Sequence, residues 1–318
     1  MDWPVLVLGK IIAGNLIASW VFRTLGRSHL PLPVPTAVHM RRVNAQQIIT
    51  FACGGIYLAF SGLSLGSSEY LQAIPIFLVG IIGSSGLYLT MRAKAISLSR
   101  STAFETLSAI IPITLSATLL GEWVAFRSGL LLSGFALTAL GVTLYFIYDI
   151  RAKIEKDVSS VPMVFYGYGT AFMLSAGITS FLMNAWAKSS VSAPLFISAW
   201  YTGTLVGGGI LLLLVRAWQK GKEEIAAASL FSPSKERLLV IAAGLSVFAN
   251  MWFLFSSFQQ VPLLVVAPFY VTADIVGPLL VGMFFFGEWK VLQKWGYLFF
   301  GMDLVGTCIV ALSRVLSP

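Results

Sequence analysis

The sequence predicts an all-α integral membrane protein of ten transmembrane helices, built as two inverted five-helix repeats, and three observations carry that reading. Of 318 residues, 57% are hydrophobic and 11% charged, against the roughly 25% charged typical of a soluble domain. The apolar residues gather into long runs instead of spreading thinly. One pattern of proline, glycine, glutamate and tryptophan occurs twice, far apart in the chain.

Taken in order, the runs are Val5 to Phe22, Ile48 to Leu65, Leu71 to Met91, Ser97 to Leu120, Ser128 to Tyr148, Met163 to Ala187, Ala193 to Val215, Leu238 to Phe258, Pro262 to Phe286 and Trp295 to Leu312. Each is long enough, at about 1.5 Å per residue, to cross a hydrocarbon core of roughly 30 Å. Helix is the conformation expected, because backbone N–H and C=O groups in lipid must be satisfied without water. The period-two alternation of a barrel strand is absent from these runs. The long connections Arg23 to Gln47 and Arg216 to Arg237 read as linkers, the first held extended by Pro31, Pro33 and Pro35.

Charge gives the chain two sides. Loops after odd-numbered spans hold 17 of the 21 Lys and Arg residues. The opposite side has Arg127, Lys188 and Arg314, and Lys10 lies within the first span. The positive-inside rule makes the odd loops cytoplasmic and places both termini outside. The net charge of +8 does not indicate nucleic acid, since the basic residues sit in loops and form no compact patch. Cys53 and Cys308 both fall inside spans, so they offer no extramembrane disulfide framework. The first span has neither a preceding basic residue nor a small-residue cleavage site, unlike a removable signal peptide.

The repeat sets the domain organisation. Gly121-Glu122-Trp123 ends the fourth span and Gly287-Glu288-Trp289 ends the ninth, a displacement of 166 residues that also carries Pro112 onto Pro278. Gly129 and Gly134 correspond to Gly296 and Gly301 after one inserted residue. This divides the chain into a first repeat over 1–150, a linker over 151–161 and a second repeat over 162–318. Five spans per half is odd, so the second half enters the membrane from the opposite side. Inverted halves with a proline in corresponding helices are a feature of secondary transporters.

On these residues the sequence resembles the drug/metabolite transporter (DMT) superfamily, specifically its ten-helix EamA-like members. The likeness rests on the paired Gly-Glu motifs, the upstream prolines and the glycine-punctuated fifth and tenth spans, and is best over Leu71 to Tyr148 and Leu238 to Leu312. It implies two five-helix repeats around a central cavity, with the fourth and ninth spans among its lining helices. It also implies cytoplasmic termini, where the charge bias places them outside.

An ionisable side chain deep in a membrane costs roughly 2.5–3.5 kcal/mol on insertion scales, so each one present calls for a reason. Lys10, Glu105, Asp274 and Asp303 are such groups, and the alternative to a functional role is that the acids pair with Lys10 or with freed backbone groups and hold helices together. Asp274 lies near the centre of the ninth span. Glu105 maps by the repeat onto Val271, one helical turn before Asp274, so the two acids are expected on pseudo-equivalent faces of one cavity, as groups that bind solute or proton. Asn15, Asn184 and Asn250, with Tyr88, Trp252 and Tyr270, are candidate hydrogen-bonding and aromatic walls of a small-molecule pocket. Pro112 and Pro278 are candidate helix breaks that free a carbonyl. Glu122 and Glu288 read as caps or interface anchors.

The function expected is secondary transport of a small organic solute, not strongly anionic because deep Lys and Arg residues are scarce, with proton coupling as one energy source. A non-transporting membrane subunit or lipid-translocating partner is the alternative. An intramembrane enzyme is less favoured: the aspartates lack a flanking glycine pattern, and the deep residues supply no serine and histidine pair. His29 and His39, ten apart in one loop, do not make a metal site. No cofactor is called for, and the chain contains no phosphate-cradling loop of the ATP-driven kind. The bilayer expected to hold it is a prokaryotic plasma membrane.

Overall fold

The computed structural model describes residues 2–26, 36–63, 66–96, 108–154, 163–218, 234–286 and 294–316. Among them there is helix and turn but no strand. The first rod begins as α1 (Trp3–Lys10), with Pro4 in its first turn after an extended Asp2, where the missing N–H leaves nothing unsatisfied. It passes through a π-helical turn, Ile11–Ile17, into α2 (Ala18–Gly26). The rods that follow are α3 (Thr36–Phe60), α4 (Ser67–Ile96), α5 (Ile110–Leu119), a 3-10 turn (Glu122–Arg127), α6 (Gly129–Ile154) and α7 (Met163–Lys188). The remaining helices are α8 (Ala193–Trp218), α9 (Ser234–Gln260), α10 (Leu263–Phe286) and α11 (Lys294–Leu316).

Among the described residues, five helical stretches are long and apolar enough to cross a membrane: Trp3–Phe22, Arg42–Phe60, Ser67–Gly86, Ala193–Leu214 and Glu236–Gln260. Four shorter ones, Ile110–Leu119, Gly129–Leu144, Leu263–Asp274 and Gly301–Val310, are apolar over 10–17 residues. Helix α7 is 26 residues long but falls outside both groups; its glycines, tyrosines and hydroxyl residues dilute its hydropathy. The architecture is compatible with a multi-pass membrane protein. Large apolar side chains stand on the outer surface, Phe60, Leu71, Leu213 and Phe284 among them, as a lipid-facing exterior requires.

One boundary differs from expectation. The segment read as an extended linker up to Gln47 is already helical from Thr36. Its residues Arg42, Asn44, Gln46 and Gln47 are buried against protein, so their polarity hides a helix that a hydropathy reading cannot detect. Glu105, Pro31, Pro33, Pro35 and the whole Gly287-Glu288-Trp289 motif lie outside the described residues.

Helix contacts are specific. Helix α6 lies along α11, α4 lies between α7 and α8, and α3 lies between α8 and α9. The first rod runs along α9 and touches α10, while α5 lies on α7. Between helices in lipid there is no hydrophobic driving force, so close van der Waals fit and small residues do the holding. Phe196 stacks on Phe255 with ring centroids 4.0 Å apart, and Trp200 extends the stack. At Gly203 the α8 backbone comes into contact with Gly80 of α4. Of the glycines in the repeated pattern, Gly134 meets Gly306, whereas Gly129 and Gly301 face open space.

Candidate functional site

The polar centre of the bundle is assembled where the first rod meets α10. The Lys10 ammonium lies 3.1 Å from Asp274 Oδ1 and donates to Asn15 Oδ1 at 3.0 Å. Asn15 in turn donates through Nδ2 to the same Asp274 oxygen at 2.5 Å. Two donors therefore converge on one carboxylate oxygen. The ammonium also stands 4.6 Å from the centre of the Tyr270 ring, and the Tyr270 hydroxyl shares a 2.5 Å hydrogen bond with Ser257 of α9.

Local backbone explains why these groups meet. Lys10 and Asn15 are five apart, which on a regular α-helix would point them in different directions; the π turn between Lys10 and Ala18 shifts the phase so that both reach Asp274. Gly277 allows the approach, since a β-carbon there would stand 2.6 Å from that of Asn15. Gly14 makes room for Asn250 in the same way, and the side-chain oxygen of Asn250 is buried without a hydrogen-bond partner. Helix α10 runs through Pro278 unbroken. Having no N–H, Pro278 cannot bond the carbonyl of Asp274 one turn earlier, so a free carbonyl falls at the ion pair. Pro112 differs: Ala109, three residues before it, is in a turn, and the described helix starts at Ile110.

The two members of the pair are unequally covered. The Lys10 side chain is 8% exposed and that of Asp274 37%. The cation is sealed and the carboxylate opens outward from it, so an incoming group would meet Asp274 first.

A second polar cluster joins α6, α10 and α11. Asp303 Oδ1 accepts a hydrogen bond from Thr272 at 2.6 Å, Thr272 lies 2.6 Å from the hydroxyl of Thr307, and Thr138 lies 3.5 Å from Thr307. A third gathers where α5 ends. Glu122 is buried; its Oε1 accepts from Asn184 at 2.9 Å and its Oε2 from the backbone N–H of Leu264, the second residue of α10, at 3.3 Å. Asn184 also donates to Ser116 at 3.1 Å. Glu122 is thus a cap, but for a helix 142 residues away in sequence, and it sits at the positive end of that helix's dipole.

The candidates named from sequence therefore separate. Lys10, Asn15, Asp274 and Tyr270 come together, with Asn250 beside the π turn. Asn184 belongs to the Glu122 cluster and Asp303 to the threonines. Trp252 donates its indole N–H to Tyr57 on α3 at 2.9 Å. Tyr88 is half-buried on α4, in none of these clusters. Sequence reasoning missed Ser257, Thr272, Thr307, Thr138 and Ser116, because a hydroxyl in a membrane helix ordinarily bonds its own preceding turn and gives no signal. It also missed the ion pair of Arg42 with Glu236, at 2.9 Å, which ties α3 to α9. A crevice of ≈ 380 Å³ between α4 and the end of α7, lined by Leu71, Pro75 and Trp186 among others, coincides with none of these clusters.

No family model and no curated protein matches the chain. Nineteen chains of solved structures do. One of them, a crystal structure, shares 15% sequence identity at a TM-score of 0.64, covering 98% of this chain and 99% of that one. At that identity the likeness concerns fold: the same helical arrangement over the full length of both chains.

Proposed function

We propose that this chain is a secondary transporter of the EamA-like, drug/metabolite transporter type, moving a small organic solute across the membrane by alternating access. The observation that carries the proposal is the Lys10–Asp274 ion pair, held by Asn15 on a π turn beside an interrupted hydrogen-bond ladder. Ion pairs inside a membrane-spanning bundle are expensive and mark solute or ion pathways. Helix termini and broken helical segments at mid-membrane are where such carriers bind their cargo.

The inverted-repeat reading gains support from the way the helices pair. Exchanging each span with its counterpart five spans later turns the α4–α8 contact into α9–α3, α4–α7 into α9 with the first rod, and α5–α7 into α10 with the first rod. Contacts of all these kinds occur, and α6 with α11 and α3 with α8 map onto themselves. For these pairs the pattern is what a two-fold relation between the halves would produce, while the α7–α9 and α6–α10 contacts have no counterpart of similar extent among the described residues. One paired Lys and Asp present both signs of charge, which suits a neutral, zwitterionic or cationic solute better than a strongly anionic one.

The test is a thermal-shift screen of detergent-purified protein against amino acids, sugars, polyamines and lipophilic cations, run beside Asp274→Asn. A ligand at about a hundred times its Kd stabilises by roughly 2.7 kcal/mol. Stabilisation of the wild type but not the variant by one solute class, with uptake of that class into proteoliposomes, is the expected result. If no compound binds and no solute moves while the fold is intact, a non-transporting membrane subunit becomes the better reading.

A further inference from the structure

The bundle buries a second carboxylate, and what surrounds it differs in kind from the Lys10–Asp274 centre. Asp303 is 1% exposed. Its Oδ1 takes a hydrogen bond from Thr272 at 2.6 Å, whereas its Oδ2 is buried with no hydrogen-bond partner. Among the described residues it forms no ion pair. Thr272 has one hydroxyl hydrogen and commits it to Asp303, so in the 2.6 Å contact between Thr272 and Thr307 the donor is Thr307. The hydroxyls thus form a directed chain across α11 and α10 that ends on Oδ1 and leaves Oδ2 bare.

A bare anionic oxygen in a dry interior is among the most unfavourable arrangements a protein can hold. Something must neutralise it, and the space decides what. Oxygen ligands about 2.1–2.5 Å from a hard metal ion stand about 3 Å apart or more; the hydroxyl and carboxyl oxygens here are 2.6 Å apart. On the Oδ1 side these are hydrogen-bond spacings too short for two ligands of one metal ion, and a proton on Oδ2 requires no further ligand. Among the described residues the neighbouring helices supply no alternative charge. Thr138 and Gly141 face the acid from α6, Thr307 from its own helix and Thr272 from α10, none of them titratable in water. The titratable side chains described on these three helices are Asp274, two residues from Thr272 and paired with Lys10, Tyr270 of α10, bonded to Ser257, Tyr148 of α6, whose ring meets Phe299, and Cys308 of α11.

We propose that Asp303 is a proton-binding site, a carboxyl group that carries its proton on Oδ2 while the threonine chain fixes Oδ1 as acceptor. The proton comes from water and returns to water, and no other covalent bond changes. Gly141 lets α6 lie directly on the Asp303 backbone: a β-carbon there would be 2.7 Å from the Asp303 nitrogen. At 1% exposure, water reaches Asp303 only when the helices around it part. The site stands on its own geometry; coupling its proton to solute movement rests on the transport reading above.

Infrared spectroscopy separates the two. Wild-type protein at neutral pH is expected to show the C=O stretching band of a protonated carboxyl, moved by 13C-labelled aspartate, kept in Asp274→Asn and lost in Asp303→Asn. Thr272→Val removes the hydrogen bond to Oδ1 and raises the frequency of that band, so the test survives if Asp303→Asn fails to fold. The inference is overturned if the wild type lacks the band, or if the band persists in Asp303→Asn. It is equally overturned if sodium chloride, but not choline chloride, raises the melting temperature of a wild type without the band, which would make the occupant a metal cation. Each result is independent of whether any solute is transported.

Discussion

Asp274 and Asp303 stand on adjoining helices, linked through Thr272 and the α10 backbone, and the bundle treats them in opposite ways. Asp274 is answered by a full positive charge and an amide, both on one oxygen, and keeps 37% of its side chain exposed. Asp303 is answered by a hydroxyl alone and is sealed. Membrane-embedded acids are thus tolerated by two routes, a cation or the loss of the charge itself. In the proposed mechanism the difference divides the labour. An exposed, cation-paired carboxylate has a partner that a charged solute can displace, while a sealed, unpaired one can exchange only the smallest ion.

The comparison breaks most visibly at Lys10. Asp274→Ala would strand a buried ammonium, and loss of one partner of a buried pair costs about 3–5 kcal/mol. Because Asp274 is partly exposed and Asn15 still holds the ammonium, we expect about 3 kcal/mol, read as a lowered denaturation midpoint in detergent. The double variant Lys10→Met, Asp274→Leu should recover most of it. A double variant as unstable as the single one would mean that the pair is not what holds this centre together. Next in size is Gly141→Ala, which forces α6 off α11 where a β-carbon would meet both the Asp303 nitrogen and the Phe299 carbonyl oxygen. Overpacking of this kind costs about 1–3 kcal/mol. It should also let water reach Asp303, seen as faster amide hydrogen exchange in α11; unchanged exchange would argue that the seam is already open. Thr272→Val should cost about 1–2 kcal/mol by leaving Oδ1 unpaired, with a cost near zero implying that water replaces the hydroxyl.

How much of this was legible beforehand depended on whether a residue announces itself by polarity alone. Lys10, Asp274 and Asp303 did, since each is an ionisable group in an apolar run. Pairing of a buried acid with Lys10 was legible as the alternative to a functional role; that Asp274 is the acid it takes was not, because the contact crosses 264 residues and depends on a π turn that no pattern of apolar positions encodes. The threonines around Asp303 are too common in helices to signal anything. The helical start of α3 was concealed by the reverse effect: its polar face is buried against protein, so Thr36 to Gln47 looked like solvent-exposed linker. The two Gly-Glu motifs were visible, but the role of Glu122 was not, since the helix it caps starts at Leu263, in the other half of the chain.

Glu122 adds a third treatment of a buried acid, and the finest test. Both its oxygens are taken by N–H donors, with no cation bonded to either. In Glu122→Gln one position becomes an NH₂ group. If the remaining oxygen stays on the Leu264 amide, the new NH₂ faces Asn184, whose own oxygen is buried and unpartnered. A flip of the Asn184 amide would present that oxygen to the NH₂, and the Ser116 hydroxyl can reverse to suit. We therefore expect Glu122→Gln to cost only about 0.5–1 kcal/mol, the difference between a charged and a neutral acceptor at a helix N-terminus. Glu122→Ala, which leaves both donors empty, should cost about 2 kcal/mol. Equal melting temperatures for the two variants would show that the negative charge, and not the pair of acceptors, is what this junction requires.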